Sequence, residues 1–247
     1  MCIPMPELPE VEILVRQLAR RLRRARIRSI EVRDSKIRLT STTVGRRIRR
    51  VRRRGKNIIF DLTGGRHLLV HLRMTGWFEF VEPRRYRAAI RTERGTLFFE
   101  DGRRLGVMQV VTRSQLERAL SALGPEPLAG GDCFSQLART SRPIKVALLD
   151  QNLLAGIGNI YASESLWRAR INPRKRADRL DPAELRSLQH GIVTSLRKAI
   201  GYGPRIFDVQ RFAVYDREGQ LCRRCAARVR RIVQAQRSTY YCPYCQK

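Results

Sequence analysis

Leu153-Leu154-Ala155-Gly156-Ile157-Gly158-Asn159-Ile160-Tyr161-Ala162-Ser163-Glu164-Ser165 reads as a loop with two glycines that runs straight into a helix. Glycines at such a junction let backbone N–H groups approach an anion closely, and the positive end of the helix dipole favours a phosphate there. A lone Gly-x-Gly is a weak signal, so its flanks have to give it meaning. Upstream, Ile144 to Leu149 is a short apolar segment that carries Lys145. Downstream, Asp181-Pro182-Ala183-Glu184 is a capping-box start for a helix whose Leu185, Leu188, Ile192, Leu196 and Ile200 share one face. The breaker-rich Gly124-Pro125-Glu126-Pro127-Leu128-Ala129-Gly130-Gly131 puts a domain boundary before this helical region.

Ahead of that boundary the pattern is different. Val11, Leu14, Val15, Leu18 and Leu22 recur at helical spacing, with arginines on the other face. Then come short β-rich runs at Ile27 to Val32, Asn57 to Leu62, His67 to Leu72, Trp77 to Val81, Thr96 to Glu100 and Val107 to Val111, with turns at Gly64-Gly65 and Glu93-Arg94-Gly95. A helix followed by a two-layer β sandwich is the expectation, closed by a short helix at Ser114 to Leu123.

With 247 residues, 43% of them hydrophobic, the chain can bury a real core and suits two domains better than one. No apolar run reaches membrane-spanning length and no signal peptide is evident at the start, so a cytosolic protein is expected. The formal charge of +29 points to a polyanion, most simply nucleic acid, bound through counterion release. Of the 51 basic residues 45 are Arg, a bias that GC-rich coding alone produces, so part of the charge can be compositional.

Six cysteines in a cytosolic chain argue for metal or free thiols. Cys222-x-x-Cys225, sixteen intervening residues and Cys242-x-x-Cys245 form a zinc-ribbon pattern. Four thiolates close the coordination shell, which makes a single zinc ion structural and not catalytic. Cys2 and Cys133 are left over, and Cys133 reads as an ordinary packed or partly exposed thiol.

The start of the chain holds the chemistry. In Met5-Pro6-Glu7-Leu8-Pro9-Glu10-Val11-Glu12 a proline with a free nitrogen would be a secondary amine able to attack a sugar aldehyde carbon, whereas a proline inside the chain is a non-nucleophilic amide. Pro6 therefore needs Met5 to be the true start and to be removed. Met1, Cys2, Ile3 and Pro4 would then be an upstream misassignment, because removing Met1 alone exposes Cys2.

Pro6-Glu7-Leu8-Pro9-Glu10, the central glycine stretch, Gly-Pro-Glu-Pro-Leu at 124–128 and the cysteine pattern together resemble the formamidopyrimidine-DNA glycosylase (Fpg/Nei) family, across Met5 to Lys247. The resemblance implies an α+β protein with an N-terminal β sandwich behind a leading helix, and a C-terminal helix-two-turn-helix domain ending in a zinc finger. The boundaries expected are 6–124 for the catalytic sandwich, 125–140 for a linker, 141–213 for the helical DNA-binding domain and 214–247 for the finger.

It also implies roles. Pro6 is the nucleophile, Glu7 an acid or base at the sugar ring oxygen, Lys56 a proton-transfer and DNA-binding lysine, and Arg237, in Gln236-Arg237-Ser238-Thr239-Tyr240-Tyr241, a phosphate contact that assists the second elimination. A surface lysine before a strand would be unremarkable at Lys56 without that likeness. Met74, in His71-Leu72-Arg73-Met74-Thr75-Gly76, would enter the duplex where the damaged base has left. Arg103 would face the orphaned base and Leu105 would be the wedge, within Asp101-Gly102-Arg103-Arg104-Leu105-Gly106. Gly102 stands where the family has proline, and Leu105 where it has an aromatic ring; leucine fills volume but loses stacking commonly worth about 1–3 kcal/mol. Lys145, Gly156, Gly158 and Asn159 would form the phosphate clamp. A family histidine that holds phosphate is missing beyond Pro83, where Arg87 and Arg91 are on offer.

The implied activity is excision of an oxidised base from double-stranded DNA by a monomer, with strand scission at the abasic site by β,δ-elimination. Two other readings are a non-catalytic damage-binding homologue, if residues 1–4 are retained, and an unrelated basic zinc-ribbon protein. Gly201 to Phe212 is shorter than the base-covering loop of purine-specific members, which implies a weakened preference for 8-oxoguanine.

Overall fold

The structure is a computed structural model that describes residues 6–130, 133–209 and 212–247. Met1 to Met5, where the expected start lies, Gly131 of the linker, and Gln210 and Arg211 of the shortened loop fall outside the described residues. The chain divides into two compact units, one made of Pro6 with Glu10–Ser121 and the other of Glu7–Pro9 with Ala122–Lys247.

The first unit holds most of α1 (Leu8–Leu22) and nine strands: β1 (Ile27–Val32), β2 (Ile37–Arg38), β3 (Ile48–Arg54), β4 (Asn57–Leu62), β5 (Arg66–His71), β6 (Trp77–Glu79), β7 (Ala88–Thr92), β8 (Gly95–Glu100) and β9 (Val107–Thr112). They form a four-stranded sheet in the order β1-β7-β8-β6 and a five-stranded sheet in the order β2-β9-β5-β4-β3. One core cluster joins Val11, Leu14, Leu18 and Leu22 of α1 to Ile90 and Phe99 of one sheet and Ile58, Phe60 and Val70 of the other. Phe78 sits between Phe60 and Phe99, with ring centroids 6.0 and 5.2 Å away. The alternate residues Ile59 and Leu69 point the other way, onto Leu116 of α2 (Arg113–Leu120). Burial on both faces explains why β4 and β5 read as continuous apolar runs.

Two strands escape a hydrophobic pattern. β3 is Ile-Arg-Arg-Val-Arg-Arg-Arg, an edge strand paired on one side only, with its register broken between Ile48 and Arg50. Charge on an edge strand discourages pairing with another chain. β7 is buried at Ala88, Ala89 and Ile90, where small residues carry no strand signal of their own.

The second unit contains α3 (Ile144–Leu149), α4 (Asn159–Ala169), α5 (Pro182–Gly201), α6 (Ile206–Val209) and the hairpin β10 (Arg230–Gln234) with β11 (Arg237–Tyr241). Asp181 caps α5 by accepting from the Ala183 and Glu184 N–H groups, with Glu184 returning the bond to the Asp181 N–H. Leu188, Ile192 and Leu196 are fully buried. A Cβ on Gly191 would lie 2.8 Å from the Ser165 carbonyl oxygen, so this glycine lets α5 approach α4 closely. The terminal segment has few apolar residues of its own and borrows Trp167 of α4 for its cluster of Val214, Cys222, Val229 and Cys242. No helix among the described residues is long and apolar enough to cross a membrane.

Candidate functional site

In the second unit the two glycines of the central loop serve the N-terminal motif. Gly156 has φ +89°, and a Cβ there would come 2.7 Å from Leu8 Cδ1. Its carbonyl accepts from the Leu8 N–H at 3.1 Å. A Cβ on Gly158 would lie 2.4 Å from the Glu7 carboxyl carbon. In that space the Glu7 carboxylate accepts three backbone N–H groups, from Gly158 at 2.9 Å, Ile160 at 2.8 Å and Tyr161 at 3.2 Å. The helix N-terminus expected to meet a phosphate therefore already holds an anion, Glu7. This corrects the assignment of Gly156 and Gly158 to a DNA phosphate: the Gly158 N–H is taken by Glu7 and the Gly156 N–H by Gln151 Oε1 at 2.9 Å.

Lys145 and Arg237 belong to the same neighbourhood. Lys145 is fully buried and its Nζ has no hydrogen-bond partner among the described residues. Burial pushes its ammonium down to about 8, the Arg237 charge adds to this, and Glu7 opposes it. Arg237 is exposed at the exit of a two-residue hairpin turn, Ala235-Gln236, both in the left-handed region at φ +45° and +59°. Asn159 Nδ2 donates to the Ser238 carbonyl at 2.9 Å, so β11 is tied to the start of α4. Pro6, one residue from Glu7, is buried.

Two residues of this neighbourhood were not singled out from the sequence. Glu164 accepts from the backbone N–H groups of Ala213, Val214 and Tyr215, each within 3.0 Å. That clasp presents Tyr215, whose phenol burial pushes up and the nearby Glu7 charge raises further. Tyr215 stands between Phe212 and Tyr240 in an edge-on aromatic ladder, with centroids 5.4 and 5.3 Å away. Glu164 belongs to the quoted glycine stretch, but a mid-helix glutamate carries no sign of its partner. The residues after α5 form a turn at Gly203–Arg205 and the single-turn α6.

In the first unit a second set gathers at one end of the sandwich. Lys56 follows β3 and is half-buried near His71, which burial, then Arg73, then Lys56 push down to about 4. A neutral ring agrees with the Arg73 N–H donating to His71 Nδ1 at 3.0 Å. Met74 is half-buried, and Arg103 and Leu105 are exposed. The two loops that carry them share the buried Asp101, whose carboxylate accepts from Thr75 Oγ1, Arg87 Nη1 and the Gly106 N–H, the last two at 2.7 Å. The Thr75 hydroxyl also accepts from the Arg103 N–H at 3.2 Å. Arg87 is 5% exposed and bonds Asp34 and the Gly106 carbonyl as well. It is thus a buried tie and not the surface phosphate ligand the sequence offered. Arg91 is exposed and pairs with Glu31.

The four cysteine sulfurs of 222, 225, 242 and 245 lie within 4.8 Å of one another, with Cys222 to Cys245 at 4.0 Å and Cys225 to Cys242 at 3.5 Å. Tetrahedral zinc–thiolate bonds of about 2.3 Å require sulfurs roughly 3.8 Å apart, so the set fits one zinc ion. Trp167 Nε1 donates to Cys222 Sγ at 3.3 Å, and Arg224 stacks over the same indole at 4.1 Å. Cys133 is buried, away from this set in sequence.

The chain is similar to known proteins over almost its full length. Residues 5–108 match the model of the formamidopyrimidine-DNA glycosylase N-terminal domain, 123–210 that of its H2TH domain, and 219–247 that of the zinc finger found in FPG and IleRS. A formamidopyrimidine-DNA glycosylase of Chloroflexus aurantiacus is 40% identical, with 98% of each chain covered. The crystal structure of the MutM (Fpg) protein from Thermus thermophilus superposes with a TM-score of 0.88 at 39% identity, covering 98% of both chains. The Lactococcus lactis protein in complex with FAPY-dG containing DNA gives 0.90 at 32% identity, covering 98% of this chain and all of that one.

Two outcomes follow from this geometry. Metal analysis is expected to find one zinc per chain, and Cys242→Ser or chelation should open the β10–β11 hairpin to protease while the sandwich keeps its β circular-dichroism signal; a protease-resistant metal-free hairpin would contradict it. The buried Lys145 binds its proton less tightly in the folded chain than in the unfolded one, so folding stability should rise between pH about 8 and the ordinary lysine range. Lys145→Met should be the more stable protein at pH 7 and lose that rise, as read by denaturant unfolding across the pH range.

Proposed function

The chain belongs to the formamidopyrimidine-DNA glycosylase family, and on that premise we propose that it excises oxidised bases from double-stranded DNA and cleaves the strand at the abasic site left behind. The observation that carries the reading is the Glu7 carboxylate, fastened by three backbone N–H groups next to Pro6. A carboxylate in a prepared position beside a secondary amine is what attack at a sugar carbon needs. The damaged nucleotide leaves the stack, since its C1′ is otherwise unreachable.

Pro6, with its nitrogen free, attacks C1′; the N–C1′ bond forms as the bond to the base breaks. Glu7 acts as acid or base at the ring oxygen, and ring opening gives an iminium. The iminium acidifies the C2′ proton, whose removal with Lys56 in support expels the 3′ phosphate in β-elimination. Arg237 steadies the second phosphate, whose loss completes the δ step. Met74, Arg103 and Leu105 occupy the gap in the duplex, with Arg103 towards the orphaned base. Lys145 and Asn159 serve the backbone near the lesion. The enzyme acts as a monomer in the cytoplasm, and one zinc ion on the four cysteines holds the hairpin that presents Arg237. The sandwich is the catalytic domain, followed by the helical DNA-binding domain and the finger.

Borohydride trapping on duplex DNA with an abasic site tests this directly. The expected product is a covalent adduct whose intact mass corresponds to a chain beginning at Pro6. An adduct that retains Met1 would overturn the role of Pro6, since another amine must then have formed the imine, and no adduct at all would leave the non-catalytic damage-binding reading.

Substrate choice follows from the segment after α5. Gly203–Arg205 and Ile206–Val209 are a turn and a single helical turn, leaving little chain to cover a flipped base. Base-edge hydrogen bonds are where large discrimination arises. Single-turnover rates on matched duplexes are expected to be faster for ring-opened purines, oxidised pyrimidines or abasic sites than for 8-oxoguanine opposite cytosine. Fastest excision of 8-oxoguanine would show that the short loop is not the selector.

A further inference from the structure

Between Arg20 and Arg54 the chain carries fifteen arginines and one lysine against two acidic residues, whereas the whole sequence has 51 basic to 22 acidic. A coding bias towards arginine raises the basic count everywhere, but it does not remove carboxylates from one region. The two that remain are engaged, Glu31 by Arg33 and Arg91, and Asp34 by Arg87 and Arg104.

Strand register sorts these arginines in space. In the five-stranded sheet Arg54, Asn57, His71 and Val107 line up at one end, and Ile48, Leu62, Arg66 and Thr112 at the other. In the four-stranded sheet Val32, Ala88 and Glu100 share one end, and Ile27, Thr92 and Gly95 the other. The connections Glu100 to Val107 and His71 to Trp77 bring the first-named ends together, and these carry Lys56, Met74, Arg103 and Leu105. The bridge of Arg26 with Arg47 and the Ile27 N–H bond to the Arg46 carbonyl join the far ends.

At that far pole several arginines crowd one carboxylate. Glu93 accepts Arg28 Nη2 at 2.7 Å and Arg47 Nη1 at 3.4 Å, and lies 3.9 Å from Arg26 Nε. Those three side chains remain 61, 45 and 42% exposed. Three guanidiniums on one carboxylate leave two positive charges over, before the exposed Arg23, Arg24 and Arg94 are counted. Arg47 of this group is held by backbone, its Nη1 donating to the Arg24 carbonyl at 3.1 Å, and the half-buried Arg46 beside it donates Nη1 to the Thr63 carbonyl at 2.6 Å. Like charge gathered this way repels itself unless an anion neutralises it. Exposed guanidiniums fixed in place match phosphate oxygens.

We propose that this pole of the sandwich is a second surface for double-stranded DNA, gripping the backbone of a duplex segment other than the one presented to the catalytic loops. The surface goes beyond the excision chemistry and does not depend on it. One protein then holds two stretches of duplex, the second without reading sequence, since only phosphates are contacted.

The test uses the full zinc-loaded chain. It is saturated with one equivalent of a duplex containing a stable abasic-site analogue, then titrated with a labelled undamaged duplex. The expected result is a complex of one protein with two duplexes. The triple variant Arg23→Gln, Arg28→Gln, Arg94→Gln should flatten the log–log salt slope of the second event by up to about 2.7 and weaken it about tenfold or more, with the first duplex and the excision rate unchanged. Glu93→Gln removes the local carboxylate and should tighten the second event. A stoichiometry that stops at one duplex, or a second event indifferent to all four substitutions, overturns the proposal. Absence of excision with two duplexes still bound would count against the glycosylase reading alone.

Discussion

The Glu7 carboxylate at the start of α4 is the constraint from which the second unit takes its form. A helix N-terminus leaves N–H groups without internal partners, and three of them converge on one side chain here. That side chain fits only because Gly156 and Gly158 have no Cβ to meet Leu8 and Glu7. The two motifs most visible in the sequence, whose Glu7 and Gly158 are 151 residues apart, are therefore the two halves of one contact. The same helix supplies Asn159 to the hairpin, Glu164 to the segment 213–215 and Trp167 to the cysteine cluster. This one helix thus ties Glu7, the hairpin, the segment 213–215 and the cysteine cluster together.

Much of this was legible because the chemistry is local. The cysteine spacing fixes the ligand set, the Asp181 capping box fixes the start of α5, and the amphipathic run from Val11 to Leu22 fixes α1. β4 and β5 were visible as apolar runs since both of their faces are covered. β3 was not, because an edge strand can be built of arginines when its pairing comes from backbone alone and only Ile48 and Val51 need burial.

What the sequence hid were partners at long range. A reading of Gly156-Ile157-Gly158 supplies an anion site but not the anion, and phosphate was the natural expectation until Glu7 proved to occupy it. Arg87 looked like a surface cation because arginines generally are; only the fold reveals two aspartates and a carbonyl around it. The burial of Lys145, whose Nζ has no hydrogen-bond partner among the described residues, carries no signal in the sequence either. Glu164 and Tyr215 carry no local signal in the sequence, since the contacts that single them out are with backbone and rings brought near by folding.

The Asp101 tie has a further consequence for the loops it joins. Ordering a free loop at an interface costs conformational entropy, as does each side chain frozen there. Thr75, Arg87 and the Gly106 amide fasten both loops to one carboxylate before any duplex arrives. As the wedge proposed above, Leu105 gives up the stacking of an aromatic ring, but the loop it stands on is already tied to Asp101. A weaker tooth on a rigid jaw can open the same gap as a stronger one on a slack jaw.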